Sequence, residues 1–206
     1  LSKQHSLFEW SAQGAVDPIP VARAKGVHFW TPEGKRFIDF NSQLMCVNIG
    51  HGDERVIKAI QEQAATLAYA NPFMATEPRA RLGQKLAAIC PGDIDVFFFT
   101  NGGAEANENA IRIARLYTGR HKVLARYRSY HGGTGASLTA TGDPRRWAME
   151  PGMPGIVHVP HPYKGPQKGT LCGPDALAEI EEVIMLEGPH TIAAFLLEAV
   201  TGTNGI

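Results

Sequence analysis

A mainly parallel α/β sheet, preceded by a small antiparallel segment, is the fold class this sequence predicts. Three observations carry the prediction. Continuous apolar runs at 96–99 and 192–197 read as strands buried on both faces, and 122–127 reads as another strand. Stretches with an apolar period of 3.6 residues lie between them. The first forty residues differ, with short alternating runs separated by turn residues. Strands alternating with helices stack as three layers, α/β/α, around a parallel sheet.

The elements follow in order. Val21-Ala22-Arg23-Ala24-Lys25-Gly26-Val27-His28-Phe29-Trp30 reads as a strand, a turn and a second strand. Thr31-Pro32-Glu33-Gly34-Lys35 is a turn, because Pro fixes φ and Gly accepts positive φ, and Arg36–Phe40 alternates as a third strand. After Gly50-His51-Gly52, Asp53 can cap a helix whose Val56, Ile60, Gln63, Ala64 and Leu67 share a face. A second helix is expected from about Glu77 to Ile89, closed by Cys90-Pro91-Gly92. The apolar strand Val96–Phe99 comes next. A third helix starts near Ala104, with Ala106, Ala110, Ile113, Ala114 and Tyr117 on one face and Gly119 as its C-cap. Lys122–Tyr127 is a strand. Gly173-Pro174-Asp175 opens a helix to about Leu186, stopped by Gly188-Pro189, and Ile192–Leu197 is a buried strand ending at Glu198.

Composition narrows the function classes. The 206 residues carry 20 Lys+Arg and 20 Asp+Glu, a formal net charge of zero, which gives no electrostatic case for a nucleic-acid or anionic-membrane partner. With 44% hydrophobic and 19% charged residues the chain is globular rather than disordered. Cys46, Cys90 and Cys172 are three, far apart and without a CxxC pair, so free thiols in a reducing compartment are expected rather than a disulfide framework or zinc ribbon. No apolar run approaches the roughly 20 residues that span a bilayer, and no signal-peptide core follows Leu1, so a cytoplasmic location is expected. His158-Val159-Pro160-His161 reads as a loop, and no carboxylate or Cys completes a metal set there. No Gly-x-Ser-x-Gly elbow exists for a serine hydrolase.

In parallel sheets, ligands bind beyond the carboxyl ends of the strands. That rule points to 100–105, 128–135 and 198–205. In Phe99-Thr100-Asn101-Gly102-Gly103-Ala104-Glu105 a strand ends, two glycines follow and a helix begins. The first N–H groups of that helix are unsatisfied and its dipole is positive there, so a phosphate fits. A βα turn needing glycine for geometry alone explains the same residues equally well. Tyr130 and His131, before Gly132-Gly133-Thr134-Gly135, offer an aromatic plane and a titratable ring, although each alone is more often packing. Glu198 is a carboxylate directly after a buried strand, which is costly unless paired or bound to a ligand. An ordinary loop acid is the plain alternative.

Taken together, in this order and spacing, these segments resemble the class III (ω-) aminotransferases, whose cofactor is pyridoxal phosphate. Phe-Thr-Asn-Gly-Gly-Ala-Glu-Ala-Asn-Glu-Asn-Ala-Ile-Arg-Ile-Ala-Arg at 99–115 resembles that family's phosphate-cup strand and helix. Tyr130-His131-Gly132 is similar to its ring-stacking loop, and Glu198-Ala199-Val200-Thr201-Gly202-Thr203-Asn204-Gly205 to its acidic segment. Asn41–Gly52 is similar to its pocket segment before the first long helix. The resemblance covers essentially the whole chain.

The resemblance implies backbone N–H groups of Gly102, Gly103 and Ala104 on the cofactor phosphate, and Tyr130 stacked on the pyridine ring. It implies His131 beside that ring and Glu198 near the ring and its partner carboxylate. Leu44 and Met45, with Phe8 and Trp10, would line the substrate pocket. The family often has a hydroxyl residue at 102 or 104, Pro at 199 and a large aromatic at 45, where this chain has Gly102, Ala104, Ala199 and Met45. It further implies a domain division of 1–50, beginning a small domain, and 51–206, an incomplete large cofactor-binding domain of the pyridoxal-phosphate-dependent transferase fold. Family members are roughly twice as long. The Schiff-base lysine and the aspartate at the pyridine nitrogen are expected after Ile206, and Lys122, Lys164 and Lys168 lie in no matching context. The implied reaction moves an amino group from an ω-amino acid or amine to a 2-oxo acid such as pyruvate, in a homodimer. A decarboxylase, racemase or aminomutase on the same fold, or an inactive phosphate-binding fragment, is the alternative.

Overall fold

A computed structural model describes residues 1–161 and 174–202. Lys164, Lys168, Cys172, Gly173 and the Thr203-Asn204-Gly205 part of the acidic segment lie outside the described residues. The chain groups into two compact units, Leu1–Phe97 and Phe98–Ile206.

In the first unit the predicted meander forms from β1 (Arg23–Lys25), β2 (His28–Trp30) and β3 (Arg36–Ile38). The strands are antiparallel, with Lys25 opposite His28 and Trp30 opposite Arg36. Cross-strand rings fix the register: Phe29 stacks on Phe37 at 5.1 Å, and the Arg23 guanidinium lies 3.8 Å above the Trp30 ring. Helix α1 (Glu54–Thr66) begins where the sequence places it, because the Asp53 carboxylate accepts from the Arg55 N–H. Its predicted apolar face borders a groove that Ile49 also lines. Helix α2 (Glu77–Ala87) has Pro78 in its first turn and ends two residues before the predicted limit. These two helices, assigned from sequence to the large domain, lie in the first unit.

The predicted buried strand at 96–99 does not form. Residues 94–100 have no regular structure, and Val96 and Phe98 are largely exposed. A strand buried on both faces needs a ladder partner and a covering layer. Among the described residues nothing pairs with this stretch.

The second unit carries the parallel sheet. Helix α3 (Gly103–Thr118) leads to β4 (Lys122–Arg126), α4 (Gly135–Ala140), a 3-10 turn (Pro144–Met149) and β5 (Ile156–Val159). Helix α5 (Pro174–Glu187) and β6 (Ile192–Leu196) follow. Strand order is β5-β4-β6, all parallel, with Leu124 opposite Val157 on one side and Phe195 on the other. The middle strand is the core: Val123, Leu124 and Ala125 are fully buried, and Ile111 of α3 and Ala136 of α4 close over it. Each of the larger of these side chains contributes about 1.5–3 kcal/mol by leaving water. Gly119, at φ +66, caps α3 as predicted.

Two expectations within this unit are corrected. The inward stripe of α3 is Ala104, Asn107, Glu108, Ile111, Ala114 and Thr118, whereas Ala106, Ala110, Ile113 and Tyr117 face out. The helix has two partly apolar stripes, and the sheet covers the one that also carries polar anchors for the loop after β4. The stretch through His158 is strand β5 rather than loop. It pairs in parallel with β4 from Ile156 to Val159, and Pro160 and His161 lie outside the strand.

Candidate active site

The loop that leaves β4 is tied down at nearly every residue. Ser129 Oγ donates to the Arg126 carbonyl at 2.6 Å, and Arg128 N and Gly142 N bond reciprocally across to Gly142 O and Ser129 O at 2.9 Å. The His131 N–H donates to Thr141 Oγ1 at 3.0 Å, and Asn107 Nδ2 donates to the His131 carbonyl at 2.7 Å. Glu108 Oε1 accepts from Thr134 Oγ1 at 2.8 Å and from Ser137 N at 3.1 Å. Successive polar residues on the inner stripe of α3 thus hold the loop and the start of α4. Gly132 presses directly on α3, where an added Cβ would lie 2.6 Å from the Ala104 Cβ. Its φ of +139° also requires glycine. Gly102, Gly103 and Ala104 therefore adjoin Tyr130, His131 and Gly132.

At the opening of α3, Gly102 is an N-cap in extended conformation with no side chain capping the helix. Glu105 Oε2 accepts from Asn101 N at 2.9 Å, so that carboxylate is committed one residue upstream. The first amides of α3 cannot bond within the helix. A Cβ built on Gly102 or Gly103 meets nothing within 4 Å. Free donors at a positive dipole end, opening on empty space, form an anion seat.

Tyr130 is half-buried, with the Arg145 guanidinium 4.0 Å from its ring centroid. The buried Asp143 carboxylate holds that guanidinium and accepts the Arg145 N–H at 3.0 Å. This cation–π contact fixes the plane of the ring. His131 is buried, and its Nε2 has no hydrogen-bond partner among the described residues. Burial holds its pKa below the ordinary histidine range; Arg126 and His158 push the same way, while Glu198 opposes them. The ring is accordingly neutral at neutral pH. Glu198, two residues past β6, accepts from Gly202 N at 3.0 Å through Oε2. Its other oxygen is buried without a partner among the described residues. Arg126, at the end of β4, donates to Thr201 Oγ1. The ends of α3, β4 and β6 thus present an anion seat, a fixed aromatic ring, a neutral imidazole and an unspent carboxylate oxygen. Buried polar atoms left open are costly in water-free surroundings and call for a partner.

Leu44, Met45, Phe8 and Trp10 lie in the first unit. Leu44 and Met45 belong to the turn Ser42–Met45, whose four residues all have φ between +49° and +64°. Both side chains are exposed, as is Trp10, and Phe8 is half-buried. Left-handed backbone costs a non-glycine residue about 1–2 kcal/mol, so four in a row need an external hold.

The sequence reading missed Asn107, Glu108, Thr141, Asp143 and Arg145. The signal for the first two was present, since polar residues three and four positions after Ala104 fall on its stripe. Asp143-Pro144-Arg145 reads locally only as a cap and turn.

A family model for class-III aminotransferases matches residues 11–206. The hypotaurine/taurine–pyruvate aminotransferase of Paracoccus denitrificans is 36% identical over 98% of this chain and 46% of its own length. An (S)-enantioselective ω-transaminase from Thermomicrobium roseum superposes with a TM-score of 0.90 at 38% identity, covering 97% of this chain and 48% of that one. A taurine:2-oxoglutarate aminotransferase from Bifidobacterium kashiwanohense, solved with pyridoxal phosphate and glutamate, gives 0.88 at 37%, covering 97% and 47%. The chain spans about half the length of the curated relatives it matches.

Proposed function

We propose a function from one premise: this chain belongs to the class-III aminotransferase family. The protein carrying it is a pyridoxal-phosphate-dependent transaminase, moving an amino group from an ω-amino acid or amine to a 2-oxo acid such as pyruvate. The supporting observation is the junction of Gly132 with Ala104, which sets the open amides of α3 beside Tyr130 and His131.

The residues present fit that cofactor. The amides of Gly102, Gly103 and Ala104 suit a phosphate dianion, and neither glycine blocks it. Tyr130, backed by Arg145, offers a fixed face to a flat heterocycle. The neutral His131 can hydrogen-bond without placing a cation beside the ring. The free Glu198 oxygen accepts one more hydrogen bond. When bound, pyridoxal phosphate supplies an aldehyde that takes up the amino group and a ring that withdraws electrons from the adjoining carbon. The chain's own part is to bind and orient. Among the described lysines, Lys122 is committed to Glu187 at the opposite end of β4, with Nζ 2.7 Å from the carboxylate. Leu44, Met45, Phe8 and Trp10 are assigned to recognition of the amine donor in this proposal. Homodimerisation and a cytoplasmic setting belong to it too, the latter supported by the free thiols Cys46 and Cys90.

The test adds pyridoxal phosphate to the complete protein and follows the visible absorbance band, then measures amino donor consumed against 2-oxo acid consumed. A band with one-for-one transfer supports the reading. No band at saturating cofactor overturns it, and product without acceptor consumption marks a different reaction on the same fold.

A further inference from the structure

Between α4, the 3-10 turn, the loop 150–155 and β5, the second unit holds a cavity of about 900 Å³, and none of the residues assigned to the cofactor lines it. Its walls are tied in place. The Met153 N–H donates to Thr139 Oγ1 at 2.9 Å, and Arg115 Nη2 donates to the Pro154 carbonyl at 3.1 Å. Gly152 is pressed so close to α4 that an added Cβ would lie 2.8 Å from Thr139 Oγ1. Leu138, Met149, Met153 and Ile156 make much of the lining apolar. Met149 and Met153 are exposed, so two flexible thioethers meet both solvent and the cavity, where they adapt to a guest's shape. This size, and an apolar lining with a few polar groups, are those of a small-molecule pocket.

Three polar side chains converge on the cavity: Arg146, Glu150 and His158. His158 Nε2 faces two carbonyls, Thr141 O at 3.2 Å and Ala140 O at 3.3 Å, so that nitrogen carries the proton. Burial, and after it the charge of Arg146, hold the His158 pKa below the ordinary histidine range, which leaves the ring neutral at neutral pH. The full positive charge of the lining is therefore Arg146, whose side chain is only 18% exposed. Its Nη1 pairs with the Glu150 carboxylate, itself 52% exposed, while its Nε is buried without a hydrogen-bond partner among the described residues. A buried guanidinium N–H left open calls for an acceptor, and a half-exposed carboxylate four residues away is a weak, displaceable partner. We infer that this cavity is an accessory site for a carboxylate carried on an apolar body, the carboxylate taking the Arg146 guanidinium from Glu150 and the body lying on Leu138, Met149 and Met153. Its occupancy reaches the cofactor loop. Arg146 adjoins Arg145, which supports Tyr130, and its guanidinium lies 5.8 Å from the ring centroid of Tyr127, on which His158 stacks at 5.0 Å. A guest that fixes the turn holds Arg145 against Tyr130 and favours bound cofactor, and by linkage the cofactor favours the guest equally. The coupling rests on the proposed transaminase reading; the site itself does not.

Octanoate is the probe. Isothermal titration of the complete, cofactor-loaded protein is expected to show saturable octanoate binding that excess pyruvate does not displace. Binding is ~tenfold weaker in Arg146→Met and ~threefold tighter in Glu150→Gln, which removes the internal competitor and leaves the guanidinium. Octanol, with the same body and no charge, binds ~tenfold more weakly than octanoate. Octanoate tightens pyridoxal-phosphate binding, followed by absorbance titration, ~fivefold in wild type and not at all in Arg146→Met. If Arg146→Met does not melt cooperatively, Met149→Glu, at an exposed position, carries the same comparison by setting a like charge beside the guest. Octanoate that competes with the cofactor, binds Arg146→Met as tightly as wild type, or leaves cofactor affinity unchanged overturns the inference. A protein that forms no absorbance band loses the proposed function, and octanoate titration of wild type, Arg146→Met and Glu150→Gln without cofactor still decides whether the cavity takes a carboxylate.

Discussion

At Gly132 a methyl group would land 2.6 Å from the Ala104 Cβ and the Ser137 hydroxyl, whereas at Gly102 it would meet nothing within 4 Å. These glycines sit in one site and serve opposite ends: the first lets two backbones touch, the second leaves room for a ligand. Substitution should separate the two. Gly132→Ala forces the loop off α3 and is expected to cost about 1–3 kcal/mol of stability, read as a lowered denaturant midpoint. Gly102 has extended backbone that any residue adopts. Gly102→Ser is expected to leave the melting curve in place and to tighten pyridoxal-phosphate binding by about 0.5–1.5 kcal/mol, the net worth of one added hydrogen bond. Isothermal titration with cofactor checks the second. Weaker binding would mean that the anion does not sit at the opening of α3.

Helix ends are the elements whose chemistry is most local, and Asp53 shows how far that reaches. Its carboxylate accepts the Arg55 N–H at 3.0 Å and pairs with the Arg55 guanidinium at 2.6 Å. Bonds from Arg55 outweigh burial and hold its pKa at about 2 instead of 3.8. A lowered carboxylate pKa contributes stability above the unfolded value and loses it as pH falls through the folded one. Wild type should therefore melt above Asp53→Ala at pH 6, with the gap closing between pH 3.8 and about 2. A gap that persists at pH 2 would assign the effect to packing. Local signals are why these ends were legible: the Asp53 carboxylate at the start of α1, the glycine pair at the opening of α3 and Gly119 at its stop each act within four positions of themselves. Strand β6 was legible because its apolar run has few other places to go, and β4 through the apolar centre Val123-Leu124-Ala125. What failed were the non-local features. The stretch 96–99 has strand composition but finds no ladder among the described residues. The face of α3 is chosen by what it packs against, and the sheet selects the stripe carrying Asn107 and Glu108. In the site, the glycines, Tyr130, His131 and Glu198 stood out because residue type at a strand end is informative. The Asp143–Arg145 support of Tyr130 did not, because it exists only once the chain after α4 folds back.

Across the molecule, each unit keeps apolar surface in water that its own described residues do not cover. In the first unit the α1 face from Val56 to Leu67 borders an open groove beside Ile49. In the second, Ile113, Leu116 and Tyr117 form the outward stripe of α3, and Tyr117 is 90% exposed. Single exposed hydrophobics are ordinary, but contiguous stripes along two helices are the kind of surface that a further layer or another chain covers. The charge balance of zero offers no repulsion to keep such faces apart. Produced by itself, the 206-residue chain is therefore expected to bind a hydrophobic dye and to elute from a sizing column ahead of a monomer. Leu116→Glu with Tyr117→Glu should lower both signals without moving the melting midpoint, since neither side chain belongs to the buried cluster around Val123. In the complete protein the dye signal should be absent and the amides of α1 and α3 protected from hydrogen exchange. A monomeric, dye-silent 206-residue chain would show that these stripes are too narrow to act as adhesive surface.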